Sequence, residues 1–378
     1  MARIRLGMVG GGNDAFIGGV HRIAARLDDR FELVAGALSS TPEKSAASAE
    51  VLGIPRSYGS FAEMADAEAA RPDGIEAVSI VTPNHVHFAA AQAFLAKGIH
   101  VICDKPLTST MEDADKMAQA VASSEALFVL THNYTGYPMI RQARAMVAEN
   151  ELGDVRIVQA EYPQDWLSTP LENEGLKQAE WRTDPNRSGA GGAVGDIGTH
   201  AHNLACFVSG LSVDSLAADL QSFGAGRVLD DNAHVMLRFT GGARGMLWSS
   251  QVAPGNENAL KLRIYGSKGG LEWSQEDPNY LWFTPLGELK RLITRGGAGA
   301  NAAASAVSRI PGGHPEGYLE GFATLYNETA DAIRAVQSGT PRANAMGQLP
   351  GIAAGMDGMK FINACVASSG KDAAWVTL

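Results

Sequence analysis

Hydrophobic positions along the 378-residue chain keep two different rhythms. Up to about residue 132, short runs rich in Val, Ile, Leu and Ala at 4–9, 33–38, 77–81, 100–103 and 127–130 alternate with Ala-rich stretches at 20–27, 42–52, 61–69, 87–97 and 111–123. Apolar runs without polar alternation suit strands covered on both faces, and the longer stretches have helical length. The punctuation agrees: Pro42 follows Thr41, Ser109-Thr110 precede Met111, and Gly98 closes the fourth helix. Repeated strand-to-helix alternation predicts a doubly wound parallel sheet with right-handed crossovers.

A helix at 137–149, closed near Gly153, marks the change of rhythm. Beyond it the period is two, with strands expected at 155–162, 213–223, 233–239, 243–251, 261–265, 270–273 and 280–283. Gly241-Gly242 and Gly269-Gly270 read as hairpin turns between neighbouring strands. The expected second architecture is an open-faced, mainly antiparallel sheet. Residues 285–315 are rich in Gly, Ala and Ser without periodicity and read as a long loop; 316–336 and 349–368 read as helices and 375–378 as a closing strand. The fold class is therefore α/β followed by α+β. Two domains are expected, 1–132 and 133–378, with the segment from about 340 to 378 packing back on the first.

Composition narrows the partners. A formal net charge of −10 and the lack of any Lys/Arg-rich run argue against nucleic acid and anionic membranes. No apolar run reaches spanning length, and Met1-Ala2-Arg3-Ile4-Arg5 leads into a strand instead of a leader sequence, so a cytoplasmic protein is expected. Cys103, Cys206 and Cys365 lack CxxC spacing and sit among apolar neighbours, the setting of buried bystander thiols. Glycine is in excess, at 43 residues, and its clusters mark the candidate chemistry.

The first cluster is Gly10-Gly11-Gly12-Asn13-Asp14-Ala15-Phe16-Ile17-Gly18, between the first strand and the first helix. Glycines there permit a tight turn and let backbone N–H groups approach a pyrophosphate at a helix N-terminus. Ala15 falls at the third position of the G-x-G-x-x-G/A pattern, and Gly18 follows it, so the loop spacing stays open. The candidate cofactor-binding residues here are Gly10, Gly12, Asn13, Ala15, Phe16 and Ile17. The second strand ends in Leu38-Ser39-Ser40-Thr41 with no carboxylate for a ribose and no Arg for a 2′-phosphate. Ser39, Ser40 and Lys44 are the candidates there, and NAD and NADP both remain open.

Thr82, Pro83, Asn84 and His85 follow the third apolar run, and Asp104, Lys105 and Pro106 follow the next. Both stretches lie at strand carboxyl ends, where open α/β sheets bind ligands, and both extend the cofactor set. The His85-x-His87 pair lacks a third ligand at fixed spacing, so no metal is expected. In Gly191-Gly192-Ala193-Val194-Gly195-Asp196-Ile197-Gly198-Thr199-His200, a helix starting near Asp196 would set Asp196 and His200 at i and i+4. That spacing suits a base with a carboxylate partner, and equally a helix cap beside a core histidine.

These motifs, in order and spacing along essentially the whole chain, resemble the glucose–fructose oxidoreductase/inositol dehydrogenase/rhizopine-catabolism (Gfo/Idh/MocA) oxidoreductases. Asp104 stands where such proteins usually carry Glu in Glu-Lys-Pro. The resemblance implies a Rossmann domain, an NAD or NADP cofactor, and Lys105, Asp196 and His200 as the catalytic set. It implies reversible oxidation of a secondary hydroxyl on a sugar, cyclitol or related polyol, in a homodimer or homotetramer formed through the open sheet. Candidate substrate contacts are Lys105, Tyr162, Asp165, Trp166, Trp181, Arg182, Asp196, His200 and His314. Two alternatives stay open on the same scaffold: a glycosidase using NAD transiently for oxidation and elimination, and a sugar or cofactor sensor without turnover.

Overall fold

A computed structural model describes residues 2–378. The chain divides into two compact units: one runs to Asn133 and adds Phe322–Asp357, the other comprises Tyr134–Gly321 and Gly358–Leu378.

The first unit is built on six parallel strands: β1 (Ile4–Gly10), β2 (Phe31–Ala37), β3 (Arg56–Ser57), β4 (Ala77–Val81), β5 (His100–Cys103) and β6 (Phe128–Leu130). Their order is β3-β2-β1-β4-β5-β6. The strand order therefore reverses between β1 and β4, the place where a dinucleotide fold opens its crevice. The apolar runs are buried along nearly their whole length, as two-sided cover requires. The two-residue β3 was not expected from the pattern, being too short and too polar to show a period.

Helix Phe16–Leu27 begins four residues before the expected start at 20. Gly18 and Gly19 look like loop in the sequence. In the structure Gly18 is helical and packs against Gly11: a Cβ on Gly11 would lie 3.0 Å from Gly18 Cα. Beneath this turn Met8, Leu38, Ala49, Ile54 and Val81 form one apolar cluster. Full burial of each larger aliphatic side chain there contributes about 1.5–3 kcal/mol.

The segment that returns to the first unit is 322–357, which meets the expected 340–378 only up to residue 357. Its anchors explain the difference. Buried Tyr326 places its hydroxyl 2.8 Å from His21 Nδ1 and 2.9 Å from Ser79 Oγ. Arg334 pairs with Glu76 at 2.9 Å, and Leu130 N donates to Pro350 O at 2.8 Å. Residues 358–378 pack in the second unit, where Ala218 N donates to Ser368 Oγ at 2.8 Å.

The second unit carries nine strands: β7 (Val155–Pro163), β8 (Val213–Gln221), β9 (Asn232–Phe239), β10 (Arg244–Ser250), β11 (Lys261–Gly266), β12 (Gly269–Ser274), β13 (Tyr280–Pro285), β14 (Arg291–Thr294) and β15 (Val376–Thr377). The order is β14-β13-β12-β11-β7-β10-β9-β8-β15, antiparallel throughout except for the parallel β7/β10 pair. Along β9, Val235, Leu237 and Phe239 are buried while His234, Met236 and Arg238 are exposed, so one face is open.

Two expectations fail in this unit. The stretch 285–315 is not one loop, because it holds the edge strand β14 and a helical turn, Ala302–Ser305. β14 is only four residues long and runs straight into the Gly- and Ala-rich stretch 296–300, so its period could not show. Gly269-Gly270 is not a turn either: both residues lie in β12, and Ser267-Lys268 make the connection. Gly270 pairs with Tyr265 across the ladder, and a Cβ there would meet the Tyr265 ring at 2.7 Å. Gly241 and Gly242, with φ of 82° and 99°, do form a turn between β9 and β10.

Candidate active site

In the first unit the expected cofactor residues gather at the carboxyl ends of β1, β4 and β5. Gly10 and Gly11 take φ of 76° and 69°, a region that favours glycine. A Cβ on Gly10 would lie 2.8 Å from Val81 O and 2.9 Å from Thr82 Cγ2, and one on Gly12 would lie 2.9 Å from Leu38 O. The loop is thus closed on one side by the turn after β4 and on another by the end of β2. Arg22, in the second turn of the following helix, donates to Gly11 O, and Asn13 N donates to Ser48 Oγ at 3.3 Å.

Ala15 is the N-cap and offers no side-chain acceptor, and the first turn holds no acidic residue. The N–H groups of that turn remain suited to an anion. These features fit a dinucleotide pyrophosphate. The close-approach glycine is Gly18 and not the position of Ala15, which makes the loop longer than the simplest pattern. Ser39 accepts from Thr41 N at 3.3 Å, while Ser40 and Lys44 are exposed near the end of β2.

Thr82, Pro83, Asn84 and His85 form the turn after β4, with Asn84 buried and His85 exposed. Asp104 N donates to Ile80 O at 2.9 Å, and the Asp104 carboxylate accepts from Lys105 N at 3.0 Å and from Thr131 Oγ1 at 2.8 Å. The Lys105-Pro106 peptide is cis. His87 ties the two turns together, its buried ring 2.9 Å from Thr82 O through Nε2 and 2.9 Å from Pro106 O through Nδ1. A neutral imidazole carries one N–H, so it donates to one of these carbonyls at a time. Burial holds the His87 pKa down, and the Asp104 charge partly opposes it.

In the second unit Asp196 lies in a π-helical turn, Val194–Gly198, that runs directly into helix Thr199–Ser209 carrying His200. Asp230 anchors this turn, accepting from Gly192 N at 2.6 Å and Val194 N at 2.8 Å, and burial raises its pKa to about 6. The Asp196 carboxylate pairs with Arg182 Nε at 3.0 Å and accepts from Gln251 Nε2 at 2.9 Å. Arg182 also lies over the Trp181 ring, 4.3 Å from its centroid. Of the expected substrate residues, Trp181, Arg182 and Asp196 therefore form one group.

Around His200 the walls are aromatic. Tyr134 meets its ring edge-on at 4.9 Å between centroids, and Tyr162 is at 6.3 Å. The two tyrosyl oxygens are 2.5 Å apart, and Tyr162 donates to Asn258 Oδ1 at 2.8 Å, which also accepts from Gln164 at 2.6 Å. Burial pushes both phenol pKa values up, Tyr162 well above the usual value. Both remain neutral hydrogen-bonding groups. Sequence reasoning missed Tyr134, Gln251 and Asn258. Tyr134 stands in an irregular stretch, and the other two lie near strand ends with nothing local to distinguish them.

Other candidates separate by environment. Asp165 accepts from Gly255 N at 3.1 Å in a turn, and Trp166 is half-buried. His314 is exposed and lines a pocket with Asn258 and Tyr318. His202, two residues beyond His200 and outside the candidate set, belongs to the core: it stacks on Phe361 at 4.4 Å, and burial lowers its pKa to about 4. Burial also raises the thiols of Cys103 and Cys365 well above their usual range. Among the described residues no cluster of three or more His, Cys, Asp or Glu could hold a metal ion, and no helix is long and apolar enough to cross a membrane.

Two family models match the chain. Residues 4–132 match the oxidoreductase family with NAD-binding Rossmann fold, and residues 140–272 match the GFO/IDH/MocA C-terminal domain. An oxidoreductase from Sinorhizobium meliloti is 61% identical over the full length of both chains, with a TM-score of 0.89. An inositol dehydrogenase homolog from Azotobacter vinelandii, solved with NADH and myo-inositol, is 36% identical over 100% of this chain and 98% of its own, with a TM-score of 0.93. Levoglucosan dehydrogenase from Pseudarthrobacter phenanthrenivorans is 30% identical over 73% of this chain and 75% of its own.

Proposed function

Since the chain belongs to the Gfo/Idh/MocA family of NAD-binding oxidoreductases, we propose that it reversibly oxidises a secondary hydroxyl of a sugar, cyclitol or related polyol. The observation that carries this reading is the continuous turn-to-helix segment that bears both Asp196 and His200 in a wall of neutral hydrogen-bonding groups. Such a wall offers donors and acceptors to a hydroxylated ring without a charge that would have to be neutralised.

His200 takes the hydroxyl proton, the work of a group whose ordinary pKa lies near neutrality. Asp196, fixed by Arg182 and Gln251, places a negative charge that stabilises the resulting imidazolium. Lys105 donates a hydrogen bond to the substrate oxygen and lowers the cost of its developing negative charge. When bound, the oxidised nicotinamide supplies the hydride acceptor, so that a secondary alcohol becomes a ketone with one reduced nicotinamide and one proton as co-products. The residues that would hold it are Gly10, Gly12, Asn13, Ala15, Phe16, Ile17, Ser39, Ser40, Lys44, Thr82, Pro83, Asn84, His85, Asp104 and Lys105.

Substrate specificity falls to Tyr162, Asp165, Trp166, Trp181, Arg182 and His314 together with the catalytic set. Association of copies through the open sheet face completes the reading; Met236 and Met246, 51% and 57% exposed, are paired opposite each other there. The roles are separable by substitution. Lys105→Ala and His200→Ala should each lower turnover by about 10²–10⁴-fold, the usual worth of a positioned proton-transfer group. His200→Ala should keep NAD⁺ binding by calorimetry, and Lys105→Ala should keep most of it, because Lys105 is one of many residues that would hold the cofactor; loss of that binding in both would contradict the division of roles.

A further inference from the structure

The segment that carries Asp196 and His200 is held at its start by a residue that stands outside it. Val194–Gly198 and Thr199–Ser209 run on as one helical stretch, and Ala193, at its N-cap, offers no side-chain acceptor. The first N–H groups of a helix find no partner within it. Here three successive N–H groups turn to Asp230. Gly192 N donates to one carboxylate oxygen at 2.6 Å, Val194 N to the other at 2.8 Å, and Ala193 N to the Asp230 carbonyl at 2.8 Å. A Cβ on Gly192 would lie 2.0 Å from that carbonyl oxygen, so the contact requires glycine. Gly192 O accepts in turn from Asp196 N at 2.8 Å. Gly192 thus links Asp230 to the backbone of Asp196.

The next residue holds the Asp196 side chain. Asp231 is buried, and its carboxylate accepts from Phe223 N at 2.9 Å, Gly224 N at 2.8 Å and Arg227 Nη1 at 3.1 Å. Arg227 also pairs with Glu172 at 2.7 Å. Asp231 O accepts from Gln251 N at 2.8 Å, and the Gln251 side chain donates to the Asp196 carboxylate at 2.9 Å. Residues 230–231 therefore reach Asp196 by two routes, through the backbone at Gly192 and through Gln251. A plain helix cap would need only the first.

The charge of Asp230 matters to the first route. An ionised carboxylate accepts at both oxygens, whereas a protonated one presents an O–H to one of the two N–H groups. Burial outweighs the two N–H bonds and raises the Asp230 pKa to about 6. Asp231 and Cys365 face it. The Asp231 charge acts in the same direction and is itself paired with Arg227, and the buried Cys365 thiol on helix Ile352–Ser369 is neutral. The anchor is therefore complete at pH 8 and incomplete at pH 5.

We propose that Asp230 is a positioning residue for the reaction at His200: as a carboxylate, it sets the direction in which Asp196 and His200 leave their helical stretch. The proposal rests on the dehydrogenase reading of that pair. A group outside the catalytic set thereby controls turnover.

The test compares the full-length wild type with Asp230→Asn, which keeps the size and loses the charge. Melting curves establish that the variant folds, and NAD⁺ reduction is followed from pH 5 to 9 with the best polyol found for the wild type. The expected loss in kcat at pH 8 is about 10²-fold, the cost of misplacing reacting groups by about 1 Å. NAD⁺ affinity by calorimetry should stay close to that of the wild type. Below pH 6, His200 and Asp230 must both lose a proton in the wild type, so log kcat/KM should rise with pH at a slope approaching two; in the variant the slope should be one. A purely structural residue would lower Tm and leave the slope alone. Hydrogen exchange gives a readout free of activity. Amides 192–196, measured against those of β9, should lose protection from pH 8 to pH 5 in the wild type and lack it at both values in the variant. If the variant melts too low to assay, the wild-type slope and exchange decide alone. A folded variant with undiminished kcat, a wild-type slope of one, or wild-type exchange indifferent to pH would each overturn the role of Asp230. No reduction by any polyol, with protection that still follows Asp230, would sink the dehydrogenase reading and keep the anchor. Reduction by the wild type with slope and protection unchanged in the variant would do the reverse.

Discussion

His202 and His200 are two residues apart on one helix, and burial separates their roles. His202 stacks on Phe361 and keeps a folded-state pKa of about 4, and the buried His21 ring in the other unit is held equally low. An unfolded chain charges these rings near pH 6.5, whereas the folded protein does not until about 4. Between those values the unfolded state binds more protons, so stability is full above pH 6.5 and drains away as the pH falls. Each ring is worth roughly 3 kcal/mol across that window, because every tenfold difference in proton affinity between the two states amounts to about 1.4 kcal/mol. His202→Phe keeps a ring on Phe361 and removes the proton site. Melting curves should show a smaller loss of Tm between pH 6.5 and 4 for this variant than for the parent; an unchanged slope would mean that His202 charges in the folded state. Sequence spacing points to His200, but only packing reveals that His202 belongs to the core.

At the scale of elements, the close contact between Gly11 and Gly18 shapes the loop that should hold the cofactor. A Cβ on Gly18 would run into Gly11 backbone atoms, which cannot swing aside as a side chain can. Gly18→Ala should therefore destabilise the protein by about 1–3 kcal/mol, as overpacking does, and weaken NAD⁺ binding together with stability. Denaturant titration and calorimetry check both; an alanine tolerated at full affinity would refute the close-packing account. Most of the elements around this loop are visible in sequence because two-sided burial writes continuous apolar runs. The early start of helix Phe16–Leu27 is not, because its glycines read as loop when their role is contact. β14 escapes for a different reason: it is short, and the Gly- and Ala-rich stretch that follows it hides it. The π-helical turn at Val194–Gly198 is set by the Asp230 carboxylate, which stands 38 and 36 residues along the chain from the two N–H groups it holds.

For the whole molecule, the open sheet face makes a separate prediction. Met236 faces Met246 across β9 and β10, His234 stacks on Trp248 at 6.2 Å beside them, and Trp282 is 41% exposed on β13. An apolar face of this kind calls for cover. Light scattering should find the wild type larger than one chain and Met246→Glu shifted towards a single chain at the same concentration. A wild type that remains a single chain would contradict association through this face. Sequence alternation marks that face, whereas the route of the chain between the units is harder to read. Residues 322–357 return to the first unit through contacts such as Tyr326 with His21 and Ser79, which no local pattern announces. The central claim concerns chemistry, and one assay reaches it most directly: the appearance of reduced nicotinamide when the protein is mixed with NAD⁺ or NADP⁺ and a panel of inositols, hexoses and their glycosides. The account predicts reduction with at least one of these polyols, slowed by about 10²-fold or more in His200→Ala; no reduction across the panel with either cofactor, or reduction at an undiminished rate after the loss of His200, would contradict it.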